Sequence, residues 1–113
     1  MADSAHAFEY PALKMHIDGE WIGVDSRRAH QVIEPATGAI LGDLPLADAS
    51  DLDRALDAAA RAYRLWRVTP VLERGAVLRK AAQLLRERAE AIAWNATREE
   101  GKTLGETRIE VMS

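Results

Sequence analysis

The sequence predicts an α+β polypeptide in which β-hairpins come first and amphipathic helices follow. Three observations carry this reading: Asp18-Gly19 between apolar residues, Pro35-Ala36-Thr37-Gly38 between aliphatic runs, and a change to helical periodicity near Asp48.

Asp-Gly between apolar flanks is a strong short-range hairpin signal, because a type I′ turn needs positive φ at both central residues. Here Met15, Ile17, Trp21 and Val24 supply the flanks. Ser26 to His30 read as loop, and residues 31–34 and 39–44 form a second pair of strand candidates. Between them Pro35 presets φ for the second position of a turn and Gly38 can close it at positive φ. A dinucleotide-binding fingerprint would need G-x-G-x-x-G opening a helix. Gly38 and Gly42 are followed by a strand candidate instead, so the hairpin reading prevails.

Asp48 suits an N-cap, with Asp51 at the end of the helix dipole that favours negative charge. From there Leu52, Ala55, Leu56, Ala59, Tyr63 and Trp66 recur at helical spacing as one apolar stripe, with Asp57, Arg61 and Arg64 on the other side. Thr69-Pro70 predicts a new start, Thr69 as cap and Pro70 at the first helical position. The next helix carries Val77, Leu78, Ala81, Leu85, Ile92 and Ala96, bends or breaks between Arg86 and Glu90, and stops at Gly101. Thr103 and Glu106 form a capping-box pattern that opens a further helix. That helix ends on Ile109, Val111 and Met112 after about two and a half turns. The expectation is a piece of a longer protein, aggregation-prone or molten when isolated.

The chain has 113 residues, 48% of them hydrophobic and 29% charged, and a net charge of -3. This fits one ordinary folded unit and lacks the basic character of nucleic-acid binders. It contains no cysteine, which excludes a thiol nucleophile or zinc-thiolate site within these residues. The first residues lack a signal-peptide pattern, and residues 1–14 read as a flexible tail. Cytoplasmic localisation is the default expectation.

Candidate chemistry is sparse. Gly101-Lys102-Thr103 resembles the end of a P-loop, but the motif's earlier glycine position is Ala96 and a helix leads in where a strand is required. Helix termination followed by a new cap explains the triplet. His6, His16 and His30 lack metal-ligand spacing. Glu99 and Glu100 are adjacent, about 100° apart on a helix, and read as a solvated face. Arg61, Arg64 and Arg67 make a basic edge diluted by Asp57 and Glu73. Trp21, Trp66 and Trp94 read as packing residues. No catalytic, cofactor-binding or metal-ligating residue is assigned. A stand-alone helical interaction module is the alternative to an enzyme fragment.

The order of the pieces points further. Ile17-Asp18-Gly19-Glu20-Trp21 resembles the I-N-G-E-W strand motif of the aldehyde dehydrogenase superfamily, and Glu34 to Gly38 resembles its N-P-A-T-G turn. Residues 49–70 are similar to the family's first helix, and residues 73–93 to its next. Residues 99–106 are similar to its L-E-x-G-K-P-L-x-E segment. Asp18, Glu34 and Thr103 depart from the usual Asn, Asn and Pro, all retaining turn or capping chemistry. The flavour is nearest the succinate-semialdehyde type.

The resemblance implies that residues 15–113 are the truncated N-terminal portion of a cofactor-binding domain in the α/β aldehyde dehydrogenase fold. It implies a parent that uses NAD or NADP to oxidise an aldehyde, through a cysteine nucleophile, an oxyanion hole and a glutamate base. Those groups lie beyond Ser113, so the chain alone is expected to be inactive. A homo-oligomeric parent with neither nucleic-acid nor membrane partners is also implied. Some family members bind a monovalent cation at positions matching Val32, Ile33 and Glu99.

Overall fold

The computed structural model describes residues 8–113. Four short strands precede four helices: β1 (Met15–Ile17), β2 (Glu20–Ile22), β3 (Ala29–Ile33), β4 (Ile40–Pro45), α1 (Ala49–Trp66), α2 (Val71–Glu87), α3 (Ala89–Glu100) and α4 (Leu104–Met112). The strands form two separate antiparallel pairs, β1 with β2 and β3 with β4.

Both expected hairpins are present. In the first, Asp18 and Gly19 take φ values of 52° and 82°, the left-handed pair that a type I′ turn demands. In the second, Gly38 has φ 75°. The Gly38 amide donates to the Glu34 carbonyl at 2.8 Å, and the Glu34 amide donates to the Ala39 carbonyl at 2.9 Å. A register shift at Val32/Ile33 absorbs the extra residue of this turn. β3 begins at Ala29, which moves His30 out of its expected loop and opposite Leu44. Pairing with the extended chain at Leu44-Pro45, rather than local propensity, sets that boundary.

α1 starts with a reciprocal cap. The Asp51 amide donates to the Asp48 carboxylate at 2.9 Å, and the Asp48 amide donates to the Asp51 carboxylate at 3.0 Å. At α2 the expectation fails in one detail: Pro70 itself is the N-cap and makes no side-chain cap bond. Its carbonyl accepts from Arg74 at 3.1 Å, while the Thr69 hydroxyl donates backwards to the Leu65 carbonyl at 3.0 Å. The break expected near residues 86–90 falls at Arg88, φ -106° and ψ 6°. Thr103 and Glu106 form the expected capping box at α4.

The tightest packing lies between α3 and α4. Ala93 is fully buried and Thr107 is 1% exposed. The Thr107 hydroxyl lies 2.8 Å from that of Thr97 and donates to the Thr103 carbonyl at 3.0 Å. Arg108 pairs with Glu90 across the same helices. Elsewhere the core is thin. Among the described residues the buried apolar side chains are Ile17, Ala93 and Pro45. The stripe expected to pack on α1 is open, with Leu52, Leu56 and Tyr63 58%, 60% and 64% exposed. The reading of the tryptophans as packing residues fails for Trp21 and Trp66, which are also exposed. Among the described residues no element covers these groups, whereas His16 only tilts against the Trp21 ring, centroids 4.7 Å apart. The radius of gyration is 17.5 Å, against about 13 Å for a compact chain of this length. No helix of the described residues is long and apolar enough to cross a membrane.

Candidate functional site

Two motifs far apart in the sequence meet where the β3–β4 turn touches the end of α3. Gly101 closes α3 at φ 74°, its amide donating to the Thr97 carbonyl at 2.9 Å. A methyl group at Gly101 would lie 3.4 Å from the Pro35 Cβ, so the turn sits directly against the helix terminus. Glu34, first residue of the turn, accepts from the Thr37 hydroxyl and faces Arg98 at 3.7 Å. Both Arg98 and Glu34 are half-buried.

Tyr10 completes the cluster from the N-terminal side. Its hydroxyl donates to Glu99 at 2.5 Å, and the Arg98 guanidinium stands 5.5 Å from its ring centroid, within cation–π range. Burial, then the bond to the Glu99 carboxylate, pushes the phenol up to about 12. A Cβ at Gly42 would come within 3.3 Å of the Tyr10 ring, so the glycine on β4 makes room for it. The stretch 1–14 was expected to be a loose tail; its first seven residues lie outside the described structure, and Tyr10 is held by side chains from α3.

A second polar centre joins the β2–β3 loop to α1. Arg27 pairs with Asp51, which is 1% exposed. The Arg27 bond, then the Asp48 amide, holds the Asp51 carboxyl below the usual carboxylate range. An open cavity of about 390 Å³ lies beside it, lined by residues including Ser26, Arg28 and Leu46.

Neither centre is a catalytic constellation. In the Tyr10 cluster Arg98 faces Glu34 and the Glu99 carboxylate accepts from the neutral phenol, and a phenol this weakly acidic is no base near neutral pH. The described residues offer no dinucleotide cradle, because the 34–38 turn closes a hairpin and Gly101 ends a helix. Among them, no three His, Cys, Asp or Glu side chains converge on a metal-sized space. His16 and His30 lie on different sheets, and His6 is outside the described residues. Arg61 is engaged by Asp18 at 2.7 Å. Glu99 is held by Tyr10, and no step is assigned to a cation at Val32, Ile33 and Glu99. Lys102 of the P-loop-like triplet is taken by Glu110 at 2.8 Å and Glu100 at 2.7 Å.

The site is a structural junction, and it joins two of the segments on which the family resemblance rests. A family model described as "Aldehyde dehydrogenase family" matches residues 21–113. The chain belongs to the aldehyde dehydrogenase family. It is 43% identical over 96 residues to malonate-semialdehyde dehydrogenase 1 of Bacillus licheniformis, covering 85% of this chain and 20% of that aldehyde dehydrogenase. Among solved aldehyde dehydrogenases, the succinate-semialdehyde dehydrogenase of Burkholderia pseudomallei superposes with a TM-score of 0.85 and 34% identity. That match covers 96% of this chain and 23% of the other. The lactaldehyde dehydrogenase of Escherichia coli gives a TM-score of 0.83 at 35% identity, over 88% of this chain and 21% of that one. The chain thus spans about a fifth of the length of the curated relatives it matches.

Tyr10 and Arg98 were not singled out by sequence reasoning, and Glu34 entered only as a departure from the family's turn motif. The signal in reach was Gly42, a glycine inside a strand, which marks a close approach by another group.

Proposed function

We propose that this chain serves as the N-terminal scaffold of an aldehyde-oxidising enzyme, its first hairpins and helices carrying part of the cofactor-binding domain. In that reading the enzyme oxidises a small semialdehyde bearing a carboxylate, of the malonate or succinate type, to the dicarboxylic acid. It passes hydride to NAD or NADP. The observation that supports it is the meeting of the 34–38 turn and residues 98–101 at one junction, in a chain whose matched relatives include semialdehyde dehydrogenases about five times as long. The chain has no cysteine, so the thiol nucleophile of that reaction belongs to the remaining polypeptide, and in this reading the chain by itself is inactive.

The experiment joins these 113 residues to the remaining four-fifths of the B. licheniformis relative, in place of its own first fifth. The joined polypeptide, given malonate semialdehyde and NAD+ or NADP+, is expected to generate absorbance at ~340 nm, as the reduced nicotinamide forms. The 113-residue chain alone gives none. A soluble, folded joined polypeptide without turnover removes this reading, as does turnover by the chain alone.

A further inference from the structure

We propose that residues 8–14 form a strap, closed in this structure by Tyr10, that ties the second hairpin to the end of α3 and opens while the helices stay folded. All of its contacts lie within the chain itself.

Residues 8–14 lie in neither strand nor helix, and among the described residues none of their backbone groups bonds to another backbone group. Side chains alone keep the segment down. Tyr10 and Leu13 are half-buried, and the residues around them are exposed. Both inward side chains converge on one point of β4: a Cβ at Gly42 would lie 3.3 Å from the Tyr10 ring and 3.9 Å from the Leu13 Cδ1. Gly42 is not among the glycines at positive φ. Its missing side chain therefore serves the segment above it, not the path of its own strand.

The tip and the root of the strap rest on different parts of the chain. At the tip, the Tyr10 hydroxyl donates to Glu99 at 2.5 Å and its ring centroid stands 5.5 Å from the Arg98 guanidinium. At the root, the hairpin that begins at Met15 engages α1 through Asp18 with Arg61 and Glu20 with Arg54, both at 2.7 Å. The second hairpin's own hold on α3 is slight: Glu34 faces Arg98 at 3.7 Å, and Pro35 abuts Gly101. Strap and turn thus bear on one guanidinium. Pro11 fixes its own φ and restricts Tyr10 before it to extended backbone, so the free segment already favours the closed shape. One hydrogen bond to a carboxylate and one cation–π contact at a half-buried site make a weak clasp. Such a segment belongs to the low-stability end of a molecule and opens locally.

The test uses the chain's own lysines, Lys14, Lys80 and Lys102, with a lysine-specific protease and mass spectrometry of the first fragments. Lys14 sits at the root of the strap, so cleavage there reports its opening. Lys80 lies within α2, so cleavage there reports unfolding of the helices. Tyr10→Phe keeps the ring and loses the hydroxyl. It is expected to speed cleavage at Lys14 about 5- to 30-fold while Lys80 stays within about twofold of the parent. Tyr10→Ala speeds Lys14 cleavage further. Gly42→Val fills the space under the ring with a residue that suits a strand, and it opens the strap without altering it. Cleavage at Lys14 in Tyr10→Phe at the parent's rate overturns the proposal. So does equal acceleration at Lys14 and Lys80, which would make Tyr10 a support of the whole fold. A parent chain cut at Lys14 as fast as a free peptide of residues 8–20 also overturns it. Where the isolated chain is cut at Lys80 as fast as an unfolded peptide, the same variants are compared in the joined polypeptide. There Tyr10→Phe must again be cut faster than the parent at Lys14 and not at Lys80, and any other result overturns the proposal.

Discussion

Replacing Gly101 by alanine tests the junction at its hinge. Gly101 has φ 74° and ψ 10°, a region where an L-residue with a Cβ costs about 1–2 kcal/mol. The new methyl would meet the Pro35 Cβ at 3.4 Å, an ordinary contact, so the penalty comes from the backbone rather than from a clash. Native-state hydrogen exchange reads it locally. A loss of about 1–2 kcal/mol corresponds to roughly 5- to 30-fold faster exchange of the amides protected by the α3–α4 unit. Gly101→Asn separates the causes: it adds the same Cβ beside Pro35 but tolerates the left-handed region, so its exchange stays near that of the parent. Exchange in Gly101→Ala within twofold of the parent would refute this reasoning. So would Asn and Ala behaving alike, which would place the cost in the Pro35 contact.

Other outcomes follow from the same structure. Tyr10 ionises at about 12, so the stability its protonated form provides is complete below the ordinary tyrosine value and is lost as pH rises through the folded one. Ultraviolet titration of Glu99→Gln is expected to show a lower Tyr10 midpoint, since the carboxylate that accepts its proton is gone; an unmoved midpoint denies the Tyr10–Glu99 bond. Thr107→Val removes two hydrogen bonds from a residue that is 1% exposed. About 1–2 kcal/mol of α3–α4 stability should go with them, seen as faster exchange in α4. The carboxyls of Asp48, Asp51, Glu90 and Glu106 are all held below their ordinary values by hydrogen-bond donors. The stability they provide is present above the unfolded values and is lost as pH falls through the folded ones. Circular dichroism should therefore show helix loss on acidification below about pH 4. Arg27→Met, which strips Asp51 of its ion pair, should shift that loss to higher pH, and an unchanged acid profile would show the pair to be idle.

What could be read from the sequence was local. Asp18-Gly19 forms its hairpin because φ is fixed by two residues, and the caps at Asp48 and Thr103 form because each closes within three residues. The break at Arg88 lies in a charged stretch visible without a structure. The junction was not legible in the same way. Tyr10 and Glu99 are 89 positions apart, and no periodicity connects a tyrosine in an irregular segment to a glutamate near a helix end. Thr69 was misread because the residue before a proline can bond backwards to the previous helix as readily as it can cap the next. The stripes on α1 and α2 were legible as apolar, but what covers them is a tertiary matter, and among the described residues nothing does. The aldehyde dehydrogenase resemblance supplied what periodicity could not, an account of why the helices carry faces with no partner.

The most direct measurement compares hydrogen exchange of α1 in the isolated chain with that in the joined polypeptide. The account predicts amides around Leu56 and Tyr63 that are weakly protected alone and strongly protected once the remaining four-fifths is attached, while the α3–α4 amides change far less. Equal and strong protection of α1 in both forms would contradict it, because the outward stripe would then need no partner.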